Sequence, residues 1–190
     1  MSLIIAEKRE GAYGEQQDKV LPPLLHTKWG LFPITVLVFS LVFIISSTIP
    51  MEKDLAEDIV RSLKESVSFN PLDIFIHNFT LSLVMMIPII GFVFSIFSSS
   101  LSGMAVSAFS IMSNSNPLPL AVSLVSSPEG IFEILAYGLA SAQGLAGFFA
   151  IVEKRFRKEL KEYLVTIIIV IGFLLAAAFL EVSRITRFSP

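Results

Sequence analysis

Cysteine is absent from all 190 residues. Its absence removes disulfides, thiolate nucleophiles and Cys-ligated zinc or iron–sulfur centres together, and leaves the redox compartment unread. Histidine occurs twice, at His26 and His77, too few for a histidine-built metal site. Charge is scarce as well. Only 16% of residues are Asp, Glu, Lys or Arg, against about 25% in soluble domains. A net charge of −2 gives the whole chain no pull toward nucleic acid or an anionic surface. The first 28 residues contain no apolar run with a small-residue cleavage site, so they read as a polar cytoplasmic tail rather than a removable signal.

What the sequence has in quantity is apolar surface. Hydrophobic residues make up 54% and the mean hydropathy is +0.76, so lipid is the expected solvent. Spans of about 20 residues fit this length about five times, which leaves no room for a separate soluble domain of ordinary size. The expected fold is all-α, a polytopic transmembrane helix bundle occupying residues 29–190 as one domain.

Taken in order, Trp29 opens a first span over about 31–49, with Pro33 in its first turn, where a missing N–H does little harm. Over about 51–67, Leu55, Ile59, Val60, Leu63 and Val67 form one apolar stripe against a charged face. This predicts an extracytoplasmic amphipathic helix, lying on the bilayer or capping the bundle. Asn70 and Pro71 are a helix start signal, and a second span is expected over about 72–97 with a kink near Pro88. The third segment, about 101–116, is either a span of small residues (Gly103, Ala105, Ser107, Ala108) or re-entrant. Ser127 and Pro128 start a fourth span over about 128–151, and a fifth runs over about 163–180. The basic loop between them, holding Lys154, Arg155, Arg157, Lys158 and Lys161, is expected on the cytoplasmic side, which also places the amino terminus there.

Two features of this pattern concern function. His77, Asn78, Glu133 and Glu181 all fall near one leaflet, and polar side chains in hydrocarbon usually turn toward the bundle interior and one another. They form a candidate intramembrane polar cluster. Below Glu133, the residues Ala136, Ala140 and Gly144 recur every fourth position, a small-residue face suited to close helix packing. NPLDIF at 70–75 and SPEGIF at 127–132 share cap, proline, isoleucine and phenylalanine, which suits either an internal duplication or shared capping chemistry alone.

The residues Phe75, His77 and Asn78, then Pro128, Gly130, Ile131, Phe132 and Glu133, then Gly144, and finally Ala177, Ala178 and Glu181, resemble the stage II sporulation protein M family. Order and spacing fit from Pro71 to Glu181. Where the family has a histidine before the glycine, this chain has Glu129, and the family's Asn-Gly turn corresponds to Ser98, Ser99 and Gly103. The match is to a divergent member, of the kind carried by archaea and bacteria that form no spores. The resemblance implies a helical bundle of about five spans. In endospore formers it implies a membrane scaffold holding cell-wall-degrading partners during engulfment.

The expected role is therefore a non-enzymatic scaffold or accessory subunit in the cell membrane. Its partners would be the lipid bilayer and other membrane proteins or a second copy, without nucleic acid or a cofactor. The alternative is a small transporter or channel with its polar site around Glu133.

Overall fold

Thr27 accepts a hydrogen bond from the Gly30 N–H at 3.3 Å and so caps the first helix. The structure, a computed structural model, describes residues 27–66 and 70–188; the polar tail, apart from its last two positions, and Val67 lie outside them. Among the described residues seven helices follow in order: α1 (Lys28–Ser47), α2 (Lys53–Ser66), α3 (Pro71–Met85), α4 (Ile90–Met112), α5 (Pro117–Ser126), α6 (Pro128–Val152) and α7 (Phe156–Phe188). The fold is all-α among the described residues. Four helices are long and apolar enough to cross a membrane: α1, α4, α6 and the Glu159–Arg184 part of α7. The 15 residues of α3 reach about 22 Å at 1.5 Å per residue, short of a hydrocarbon core of about 30 Å.

The polar side chains fix the helix directions. Ser99 donates to the Phe39 carbonyl at 2.7 Å and Ser107 to the Ile49 carbonyl at 2.6 Å, so α4 runs parallel to α1. Thr35 donates to the Gly138 carbonyl at 2.7 Å, and Leu31 packs with Ala142 and Ala146, so α6 runs the opposite way. At the ends of α7, Thr166 meets Gln143 and Arg184 meets Glu129, which makes α7 antiparallel to α6. Asn78 reaches Glu133, and Met85 lies against Gly144, so α3 follows α6. The chain thus passes back and forth five times between a Lys28 end and a Glu133 end.

This order corrects the expected second and third spans. The second does not continue to residue 97 with a kink at Pro88; the chain reverses at Met86–Ile89, and α4 returns alongside α1. Ser98–Gly103, aligned with a turn in the family pattern, is the interior of α4. Its serines suit a helix here because Ser99 and Ser107 give their protons to carbonyls of α1, and Gly103 between them allows the contact. A Cβ at Gly103 would stand 2.4 Å from the Phe43 carbonyl oxygen. In lipid, such small polar residues hold helices together rather than breaking them. The third segment is accordingly a full-length helix ending at Met112, with no re-entrant backbone. Asn116 and Pro117 start α5, past the end of the expected third segment: the Asn116 side chain accepts from Leu118 N–H at 3.0 Å.

The reversal itself is strained. The Ile90 N–H donates to the Pro88 carbonyl at 2.8 Å across Ile89, whose φ is 68° and ψ −60°. That is the positive-φ γ-turn, a rare conformation for any residue and an outlier for a β-branched one. Neighbours hold it in place. Tyr163 donates its hydroxyl proton to the Met86 carbonyl at 3.1 Å, and Met85 and Met86 are buried in the main core.

Helix α6 is the hub, in contact with α1, α3, α4, α5 and α7. Its Ala136, Ala140 and Ala142 are fully buried. Helix α2 caps α4, burying Ala56 and Val60 against Ala108. Leu55 of the expected stripe faces outward instead, at 49% exposure, because Ala56 is the residue small enough to sit against α4.

Candidate functional site

Helices α3 and α4 part company after their shared turn: α3 lies mainly against α7, and α4 mainly against α1. Between them, toward the Glu133 end, is a cavity of about 280 Å³. Its polar lining is His77 and Asn78 from α3, Ser98 and Ser102 from α4, Glu129 and Glu133 from α6, and Glu181 and Arg184 from α7. Phe39, Phe43, Leu81, Ile134 and Tyr137 line its apolar part.

Each side chain is placed by ordinary helix grammar. The Ser127 hydroxyl accepts from the Gly130 N–H at 3.1 Å, which fixes the first turn of α6 and sets Glu129 and Glu133 one turn apart on one face. Asn70 caps α3 in the same way, accepting from the Leu72 N–H at 3.0 Å, and sets Asn78 two turns in. The Asn78 amide then donates to the Glu133 carboxylate at 2.9 Å. Of the four residues expected to cluster, Asn78 and Glu133 are bonded directly, Glu181 lines the same cavity, and His77 sits at its exposed margin.

Two members were not read as part of this cluster. Glu129 is 8% exposed and forms an ion pair with Arg184. Glu181 lies one turn before Arg184 on α7, but the carboxylate that pairs with Arg184 comes from α6. The signal was present: Glu129 lies one turn before Glu133, where the family pattern has histidine. Among the described residues, no three histidine or carboxylate side chains are grouped so as to hold a metal ion.

A family model, stage II sporulation protein M, matches residues 30–183. The chain belongs to the stage II sporulation protein M family. No curated protein and no solved structure matches it. The matched region covers the cavity's polar lining except Arg184, which lies one position beyond it.

The packing face is located more sharply. Ala136 and Ala140 are fully buried, and a Cβ at Gly144 would stand 2.6 Å from the Met85 carbonyl oxygen. These residues form the solid floor below the cavity. At the far end of α6 lies a second polar group. Lys28, only 3% exposed, donates to Thr166 Oγ1 at 2.9 Å and pairs with Glu162 at 2.9 Å. Thr166 in turn donates to the Gln143 side-chain oxygen at 2.9 Å. Lys28, placed in the tail by composition, is the first residue of α1.

Proposed function

We propose that this protein is a non-enzymatic integral membrane scaffold or accessory subunit that engages membrane partners at its Glu133 end. The observation that supports this reading is the shape of the cavity, which is polar above and closed below. Beneath Glu133 the lining passes to Ile134, Tyr137 and Phe39, and then to the buried Ala136, Leu139 and Ala140 of the α6 core. The cavity's own polar lining ends at this apolar layer, and the Lys28, Thr166 and Gln143 group at the other end of the bundle is not part of that lining. Family membership supports a membrane protein, which both readings share.

The orientation we propose puts the Lys28 end and the α6–α7 loop in the cytoplasm of a cell-membrane protein, following the basic residues of that loop. The cavity and α2 then face outward. Polar groups around an apolar recess are suited to fixing the register of a partner helix or loop.

Crosslinking in native membranes from a residue at the cavity margin, such as His77→Cys in this cysteine-free chain, tests the reading. It should capture a discrete partner set that Glu129→Ala with Arg184→Ala disrupts. An identical set from the double variant would defeat it. The alternative, a small transporter or channel, rests on His77, Glu133 and Glu181 lining one cavity; it requires solute or proton flux in liposomes that Glu133→Gln abolishes.

A further inference from the structure

We infer that the turn joining α6 to α7 binds the phosphate of an anionic phospholipid headgroup, with the acyl chains lying along the outer face of α7. This site lies at the opposite end of the bundle from the cavity and does not depend on the scaffold reading.

Three observations carry the inference. The first is the turn. Arg155 N–H donates to the Ala150 carbonyl at 2.8 Å and Lys154 N–H to the Ile151 carbonyl at 3.0 Å, the paired closure that ends many helices. It leaves Lys154 at φ 56°, a left-handed position that glycine, or sometimes asparagine, usually fills. The equivalent position after α4 is Asn114, at φ 51°. Backbone conformation therefore does not account for a lysine here, and its side chain is what the position gains.

The second is the distribution of charge. A cleft of about 340 Å³ is lined by Ile151, Lys154, Arg155, Phe156 and Arg157. Arg155 is held by Glu153 and Glu159, so its charge is balanced within the chain. Hydrogen bonding by Glu153 foremost, and by Glu159, pushes its pKa further up. Lys154 and Arg157 are exposed, and among the described residues neither has an ion-pair partner. Lys154 and Arg157 thus flank a guanidinium that two carboxylates hold, and the three cations against two carboxylates leave an excess positive charge that suits a phosphate.

The third is what lies beside the cations. Phe156, Leu160, Leu164 and Ile168 are spaced four residues apart along α7 and form one ridge. The last three are 52%, 63% and 70% exposed. A basic cleft at the head of an exposed apolar ridge matches a ligand with an anionic head and an apolar tail. A free anion would use only the cleft.

Native mass spectrometry of the detergent-solubilised full chain, titrated with phosphatidylglycerol, phosphatidylcholine or inorganic phosphate, tests this assignment. Phosphatidylglycerol should bind more tightly than phosphatidylcholine, and inorganic phosphate should not compete. Lys154→Gln with Arg157→Gln should weaken phosphatidylglycerol by about 30-fold, from about fivefold per basic residue near a membrane surface. Lys154→Gly, which relaxes the backbone and so preserves folding, should lose about fivefold alone. The charge-matched control on α2, Lys53→Gln with Lys64→Gln, should bind as the unmodified chain does. Equal binding of the two lipids, unchanged affinity in the Lys154 and Arg157 double variant, or effective competition by inorganic phosphate would each overturn the proposal.

Discussion

The Asn78 amide and the Glu133 carboxylate meet at 2.9 Å although 55 positions separate them in the chain. This bond ties α3, the shortest of the five passes, to the central helix. A carboxylate inside a bundle needs a donor, and losing one costs about 1–3 kcal/mol. Asn78→Leu should therefore lower thermal stability by that amount. Glu133→Gln added to it should restore part of the loss, because the neutral amide is less costly to leave without its partner. Equal and additive effects in a double-mutant cycle would show that the bond contributes nothing.

The glycines divide cleanly into packed and open. At Gly144 a Cβ would stand 2.6 Å from the Met85 carbonyl, whereas at Gly172 it would meet nothing within 4 Å. Gly144→Ala should destabilise by about 1–3 kcal/mol through forced backbone shifts. Gly172→Ala should be neutral or stabilising by up to about 1 kcal/mol, since alanine is the better helix former. Comparing melting temperatures of the two variants in one detergent checks both. Similar losses at both sites would contradict the packing described.

Replacing an exposed isoleucine by glycine in a membrane segment ordinarily destabilises. At Ile89 the opposite is expected, because its φ of 68° suits glycine and strains a β-branched residue by about 1–3 kcal/mol. Ile89→Gly should raise the melting temperature, while Ile90→Gly, inside α4, should lower it. A drop for both would mean that Ile89 is not strained.

Lys28 and Glu162 are paired unequally, with side chains 3% and 49% exposed. Removing the carboxylate leaves a buried ammonium facing Thr166, a backbone carbonyl and the Trp29 ring, with no anion. Removing the lysine lets the half-exposed carboxylate return to water. Glu162→Gln should therefore cost more than Lys28→Met, about 3 against about 1 kcal/mol. Chemical denaturation of the two variants would show the order directly, and a reversed order would rule out burial of the ammonium.

The passes that the sequence misplaced share one cause. The resemblance aligns Ser98, Ser99 and Gly103 with a turn, and serine and glycine are poor helix formers in water. In α4 their hydroxyls donate to carbonyls of α1, a partner that no local window contains. Pro88 and Gly91 were read as a kink because nothing nearby indicates whether a chain bends or reverses. Reversal depends on α4 finding the serine-matched face of α1. The cap-and-proline pair at Asn70–Pro71 and Ser127–Pro128 recurs at Asn116–Pro117, where it starts only the ten residues of α5. The cap and proline of that echo thus recur without its isoleucine and phenylalanine.

Local chemistry was enough to specify a lipid-embedded all-helical chain, its amphipathic α2, the starts of α3 and α6, and the depth of the polar residues. Each depends on composition, on spacing, or on a side chain bonding to its own backbone within a few residues. Which polar group meets which was decided only in three dimensions. Glu129 takes Arg184 and leaves Glu133 to Asn78, because distance between helices, and not separation along the chain, sets the strength of an ion pair or hydrogen bond.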